Sequence, residues 1–190
     1  MIRCRTLKLR DGPPIIAKVR VALEAIESVT LCPNQQQELL CQLQGEHISE
    51  SVECWVEAWF SAYVTGTLWL AEIPLRWLAL PTFTLSVLNV LKTVPYGHTV
   101  TYKELAIMAG NQHAYRAVGS ACRRNPFPLL IPCHRVIASK GLGGFSCGLQ
   151  VKKSLLAHEQ KVIMERVKSE KRDGWGERFR FRESEGFGCS

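Results

Sequence analysis

Between Pro95 and Pro126 the chain is punctuated so closely that only two short helices fit, and this stretch limits the fold more than any other. Pro95-Tyr96-Gly97 closes whatever precedes it. Thr101-Tyr102-Lys103-Glu104 then has the Ser/Thr-x-x-Glu form of a capping box, in which hydroxyl and carboxylate each take an orphan backbone N–H. The box predicts a helix with an apolar side of Leu105, Ile107 and Met108, ending at Ala109-Gly110. Asn111 can cap a second helix over 112–124, closed by Asn125-Pro126 because the residue before a proline avoids helical geometry. Two short helices around a Gly-containing turn read as a helix-turn-helix.

The second helix carries Arg116, Arg123 and Arg124, no acid, and small residues at Ala114, Ala117, Gly119, Ser120 and Ala121. Small side chains admit a flat surface or a narrow groove, and a helix N-terminus favours phosphate; the same residues also let a helix pack tightly on a neighbour. The charge map bears on this choice. Residues 81–160 hold nine basic side chains and only two acids, Glu104 and Glu159, whereas residues 1–80 hold seven basic and nine acidic. The middle block is thus either a footprint for a polyanion or a solvated basic face.

In residues 15–31, alternation and β-branched residues predict one or two strands and a turn. Val52, Trp55, Val56, Trp59, Phe60 and Tyr63 recur at helical spacing, as do Leu85, Leu88 and Leu91 over 84–94. The apolar stretch 64–82, broken by Pro74 and Pro81, reads as a connector, with a domain boundary near residue 80. A last helix is expected over about 149–159. Residues 161–190 are poor in aliphatics and are expected to form a disordered tail, in which Arg178-Phe179-Arg180-Phe181-Arg182 stands out. No uninterrupted apolar run of about eighteen residues suggests a membrane span, and the basic start lacks a signal-peptide core. Eight cysteines without a CxxC pair point to free thiols in a reducing compartment.

Residues 128–138 read as a buried strand interrupted by Cys133-His134-Arg135. Cysteine beside histidine, with a glutamate farther on, supplies the parts of an activated thiol: imidazole withdraws the proton and a carboxylate orients the imidazole. Neighbouring strand residues face opposite ways, so a water-bridged Cys133–His134 pair fits better than direct contact.

Pro132-Cys133-His134-Arg135-Val136 resembles the PCHRV signature of the O6-alkylguanine-DNA alkyltransferases, the methylated-DNA–protein-cysteine methyltransferases. The resemblance runs from about Val87 to Glu159 and takes in VPYGHTVTYKELA, RAVGSACRRNPFPLLIPCHRV and GLQVKKSLLAHE in order. It implies an α+β fold: a divergent N-terminal α/β domain with a small antiparallel sheet (1–80), then a helical, winged-helix-like domain with the helix-turn-helix and the cysteine (81–160). It implies direct DNA repair without cofactor, in which an O6-alkylguanine is flipped from double-stranded DNA and its alkyl group passes irreversibly to Cys133, once per molecule.

Carried over by residue, Cys133 resembles the acceptor, His134 and Glu159 its activating pair, and Asn125 a brace beside it. Tyr102 resembles the tyrosine that faces guanine N3 and rotates the nucleotide, and Arg116 the finger that fills the gap in the stack. Ala114, Tyr115, Ala117, Gly119, Arg123 and Arg124 complete the DNA-facing set. The carbonyls of Cys133 and Val136 would accept the guanine amine, the Ser146 amide would donate toward O6, and Pro128 and Phe145 would wall the alkyl pocket.

The chain departs from the family pattern at Tyr115 (alanine), Arg124 (a small residue), Cys122 (methionine), Phe145 (tyrosine) and Cys147 (glycine). Some relatives hold a structural zinc, but Cys4, Cys32, Cys41, Cys54 and His47 lack its spacing, so no metal is expected. A monomer is expected, nuclear in a eukaryote and otherwise cytoplasmic. The alternatives are a catalytically weak alkyltransferase-like damage-binding protein, which the presence of Cys133 opposes, and a helix-turn-helix regulator that senses alkylation.

Overall fold

The computed structural model describes residues 3–7, 15–33, 39–45, 48–67, 73–77 and 79–172. Period-two alternation builds the N-terminal sheet. Strand β2 (Ile15–Ala22) buries Ile15, Ala17, Val19 and Val21 while Arg20 faces solvent. The turn Leu23-Glu24, with both φ angles positive at 49° and 60°, leads into β3 (Ala25–Pro33). Strands β1 (Arg3–Leu7) and β4 (Leu39–Gln44) complete a sheet of order β1-β4-β2-β3.

The sheet is mixed, where a small antiparallel one was expected. β3 ends beside the start of β2, with Ile15 opposite Pro33, and β4 begins at that same end, with Ile16 opposite Leu40. β4 therefore runs parallel to β2, a consequence of where β3 delivers the chain that alternation does not encode.

Helix α1 (Glu50–Thr65) is capped by Ser49, whose Oγ accepts from the Val52 amide, and it ends at Gly66 with φ 68°. It buries Val52, Val56, Phe60 and Tyr63. The outer edge of the sheet is covered: the Val29 amide donates to Pro126 O and the Ile26 amide to Pro74 O, each at 2.8 Å. One continuous apolar core joins this half to α2 (Thr82–Leu91), α3 (Tyr102–Met108), α4 (Tyr115–Arg123) and α5 (Leu149–Arg172). The short strands β5 (Val100–Thr101) and β6 (Val136–Ile137) pair in parallel.

The capping box forms as written: Thr101 Oγ1 accepts from the Glu104 amide at 3.1 Å and Glu104 Oε2 accepts from the Thr101 amide at 2.6 Å. Helix α3 nevertheless buries Leu105 and Ala106 and leaves Ile107 and Met108 about half exposed, because α2 and α4 cover only one side of it. α4 begins at Tyr115 with Ala114 as its cap; Asn111 instead accepts from the His113 amide in a turn ahead of the helix.

Two further expectations are corrected. Residues 128–138 are not a strand: Pro128 bridges to Ile131, Leu129 has φ 79°, and Cys133–Arg135 form a single 3-10 turn before β6. A 3-10 turn spaces successive side chains about 120° apart at the backbone, so the cysteine can be buried against Asn125 while the histidine and arginine both reach Glu159. Helix α5 runs past Glu159 to Arg172, and its apolar stripe keeps partners as far as Ile163. Val162 packs on Gly66 and Ile163 on Gly97, where an added Cβ would come within 2.4 and 2.2 Å of them. Residues 173–190, with the Arg-Phe string, lie outside the described residues, as do His47 and the Cys4 side chain. None of the described helices is long and apolar enough to cross a membrane. Among the described residues, no group of three His, Cys, Asp or Glu is placed to hold a metal ion.

Candidate active site

The 3-10 turn and the first turns of α5 meet at a fully buried carboxylate. Glu159 Oε1 accepts from His134 Nε2 (2.7 Å), an Arg135 guanidinium N–H (3.0 Å) and the Tyr63 hydroxyl (3.0 Å). Its Oε2 accepts from Arg135 Nε (3.0 Å) and the Gly97 amide (2.8 Å). Burial alone would raise this carboxyl; the His134 and Arg135 partners outweigh it and hold the group down at about 2. Arg135 donates its remaining reach to Val94 O at 2.7 Å. The charged triplet embedded in apolar sequence is thus explained, since Arg135 and Glu159 neutralise each other inside the core.

Because Glu159 is acceptor-only as a carboxylate, the His134 proton sits on Nε2 and Nδ1 keeps a lone pair. Nδ1 is buried and has no protein partner. Burial lowers the His134 pKa against the pull of Glu159, so the ring is neutral at rest.

Cys133 is buried and accepts from Asn125 Nδ2 at 3.1 Å. Asn125 also donates to Ile131 O (2.8 Å) and accepts from the Phe127 amide (3.0 Å), which locks the loop that carries the cysteine. Burial pushes the Cys133 thiol up to about 12, against the lowering effect of the Asn125 bond. The resting site is therefore a neutral thiol beside a neutral imidazole, and reaction requires a proton to leave sulfur.

Cys133 opens onto a cavity of about 290 Å3 that is also lined by Tyr102, Gly119, Cys122, Arg123, Gly144, Phe145 and Ser146. Tyr102 forms one wall, its hydroxyl donating to Gly144 O at 3.4 Å. Gly143 (φ 68°) has to be glycine here, since a Cβ would lie 2.9 Å from the Tyr102 ring. Phe145 stands edge-on to His134, ring centroids 6.5 Å apart.

Of the residues singled out by sequence, Cys133, His134, Glu159 and Asn125 come together, and Tyr102, Gly119, Arg123, Phe145 and Ser146 share the cavity with Cys133. Pro128 and Val136 do not line it. Pro128 is held in its bridge to Ile131, and the Val136 carbonyl already accepts from Lys152 Nζ at 2.6 Å. Tyr115, Arg116, Ala117 and Arg124 lie on the exposed face of α4, with Ala114 half-buried at its start. The Arg116 guanidinium stands 5.9 Å over the Tyr115 ring.

Sequence reasoning missed Lys152 and Tyr63. Lys152 is fully buried and donates to the carbonyls of Val136, Leu142 and Gly144, tying the cavity rim to α5. A signal existed, because Lys152 lies two helical turns before Glu159 and so on the same buried stripe. Tyr63 belongs to the α1 aromatic stripe, and nothing local distinguishes it from core packing.

A sequence model described as the 6-O-methylguanine DNA methyltransferase DNA binding domain matches residues 82–161. The methylated-DNA–protein-cysteine methyltransferase of Homo sapiens is 48% identical over 109 residues, 54% of this chain and 53% of that protein. The chain thus spans about half the length of the curated relatives it matches. Mycobacterium tuberculosis OGT in complex with DNA is similar at 27% identity and TM-score 0.58, over 78% of this chain and 94% of that one. An O6-methylguanine DNA methyltransferase from Methanococcus jannaschii is 30% identical at TM-score 0.53, over 76% of this chain and 87% of that one. Together with the buried cysteine, histidine and glutamate on the matched segment, this likeness shows that the chain belongs to the O6-methylguanine DNA methyltransferase family.

Proposed function

We propose that the protein repairs DNA directly, moving the alkyl group of an O6-alkylguanine in duplex DNA onto Cys133. The observation that carries this reading is the buried Cys133 thiol at the floor of a cavity, backed by a histidine whose free lone pair is set by a carboxylate. The Sγ–carbon bond forms as the O6–carbon bond breaks. The thiol proton passes to His134 Nδ1 through a water, and the guanine leaves as an anion whose charge the Tyr102 hydroxyl meets as a hydrogen-bond donor.

Burial that makes the thiol a poor acid at rest also makes any thiolate formed there poorly solvated and reactive once the substrate fills the cavity. A thioether in this pocket has no group to hydrolyse it, so each molecule acts once. The nucleotide reaches the cavity only if it is flipped out of the duplex. The exposed α4 face supports this step, with Arg116 filling the gap in the stack and Ala114, Tyr115, Ala117, Gly119, Arg123 and Arg124 along the groove. Lys152 holds the cavity rim from beneath. The protein acts as a monomer, in the nucleus of a eukaryote or the cytoplasm otherwise.

The test is intact mass after incubation with an O6-methylguanine duplex. One methyl on the Cys133 peptide is expected, and Cys133→Ala should bind the duplex without gaining it. An unmodified wild-type protein that still binds the lesion would sink the reading in favour of damage binding alone.

A further inference from the structure

The carboxylate that orients His134 is held from outside the cysteine-bearing half. Tyr63 sits on α1, is 5% exposed, and donates to Glu159 Oε1 at 3.0 Å, the same oxygen that accepts from His134. Its ring is fixed on three sides: Trp59 stacks on it at 5.5 Å, Tyr96 meets it edge-on at 5.4 Å, and His158 lies tilted at 5.7 Å. The Tyr96 hydroxyl also donates to the Tyr63 carbonyl at 2.9 Å, which pins the α1 backbone to the turn whose Gly97 amide holds the other carboxylate oxygen. The acceptor the buried phenol takes is the one oxygen that also holds His134, which couples α1 directly to the imidazole's partner.

We propose that Tyr63 is a positioning residue through which helix α1 sets the geometry and hydrogen-bond load of Glu159, so that the proton-accepting strength of His134 depends on the docking of the N-terminal half. This rests on the thiol-transfer reading above and adds an element outside the cysteine-bearing segment. The physical reason is charge sharing on one oxygen. Each donor to Oε1 disperses its negative charge and weakens its hold on a protonated His134. The other charged groups facing this pair are Arg135, on both carboxylate oxygens, and Lys152, whose field disfavours a protonated His134. Both oppose an imidazolium, and neither is altered by removing the phenol oxygen. In Tyr63→Phe the stacking surface stays and one donor goes. Oε1 becomes more basic, His134 holds a proton to higher pH, and neutral His134 is lost earlier on acidification.

The experiment follows Cys133 alkylation by iodoacetamide against pH, read on the Cys133 peptide, in wild type and Tyr63→Phe, beside the pKa of His134 from nitrogen-15 NMR. The acid limb of the rate profile and the His134 pKa should both move up by about half a unit or more. A purely structural Tyr63 would lower the melting temperature and leave both unmoved, and that result overturns the proposal, as would a downward shift. Should Tyr63→Phe not fold, a fluorinated tyrosine introduced at position 63 of the full chain, a stronger donor of nearly the same shape, should move both downward; no movement refutes it equally. Iodoacetamide needs no DNA, so failure here is distinct from failure to take a methyl from an O6-methylguanine duplex.

Discussion

Replacing Glu159 by glutamine keeps the shape of the side chain and removes its charge, and the cost follows from the bonds it makes. Five hydrogen bonds converge on a carboxylate with no solvent exposure, two of them from Arg135. The folded carboxyl is held at about 2 against 4.5 in the free group. At about 1.4 kcal/mol per unit, this difference contributes about 3 kcal/mol at neutral pH.

A second route gives a similar figure. The amide nitrogen of glutamine must face donors whichever way it turns, and Arg135 is left buried without a counter-charge, a loss of about 3 to 5 kcal/mol. The sign with pH follows from a depressed folded value. The contribution is complete above about 4.5 and is lost as pH falls through about 2, so by pH 3 wild type has given up about 2 kcal/mol of it while Glu159→Gln has none to lose. Urea unfolding of both proteins at pH 7 and pH 3 reads this directly. The gap should narrow from about 3 kcal/mol to about 1 kcal/mol. Carboxylates elsewhere titrate alike in both proteins and cancel; His134 does not, because it loses the pull of Glu159, so its titration is followed by NMR in each protein and its contribution subtracted before the gaps are compared. A gap of equal size at the two pH values would refute the argument, because it would mean the folded carboxyl is not held down by its partners.

Asn125→Ala leaves the Phe127 amide buried without its partner, while the Ile131 carbonyl keeps the Cys133 amide, and should cost about 1 to 3 kcal/mol in a denaturation measurement. It also removes the donor to Cys133, which raises the thiol further and should slow iodoacetamide at this residue; an unchanged rate would contradict that. Arg116→Ala should slow methyl transfer from duplex while leaving reaction with free O6-alkylguanine base unaffected, as single-turnover kinetics would show; equal slowing of both would remove Arg116 from the flipping step. Duplex affinity should fall steeply with salt, and Arg124→Ala should lower the slope of log affinity against log salt by about one, as fluorescence anisotropy at several salt concentrations would read.

Some elements were legible because their signals are local. The capping box at Thr101–Glu104 involves two side chains and two amides within one turn, so no distant residue can change its meaning. The β2–β3 alternation and the aromatic spacing of α1 likewise carry their own period. The 3-10 turn at Cys133–Arg135 is not legible locally because its apolar neighbours satisfy a buried strand equally well. What selects the turn is the need to bury the thiol against Asn125 and both the imidazole and the guanidinium against Glu159. The extension of α5 was missed for a similar reason: its polar surface looks unsupported until Gly66 and Gly97 are seen to leave room for Val162 and Ile163. At the site, the resemblance reached Cys133, His134, Glu159 and Asn125, because these lie on one continuous segment. It did not reach Tyr63, whose partner is distant in the chain.

The sequence by itself determined the helix-turn-helix punctuation, the segregation of positive charge into residues 81–160, and a cysteine beside a histidine with a glutamate to follow. Propensity, capping and net charge act over a few residues and can be read along the chain. Only the tertiary structure decided that β4 runs parallel to β2, that His134 and Arg135 share the buried Glu159 carboxylate, and that Tyr63 and Lys152 hold the two sides of the site. Those outcomes turn on desolvation. A buried charge or carbonyl takes whatever partner the fold brings within hydrogen-bond distance, and that distance is set by packing between segments far apart in sequence.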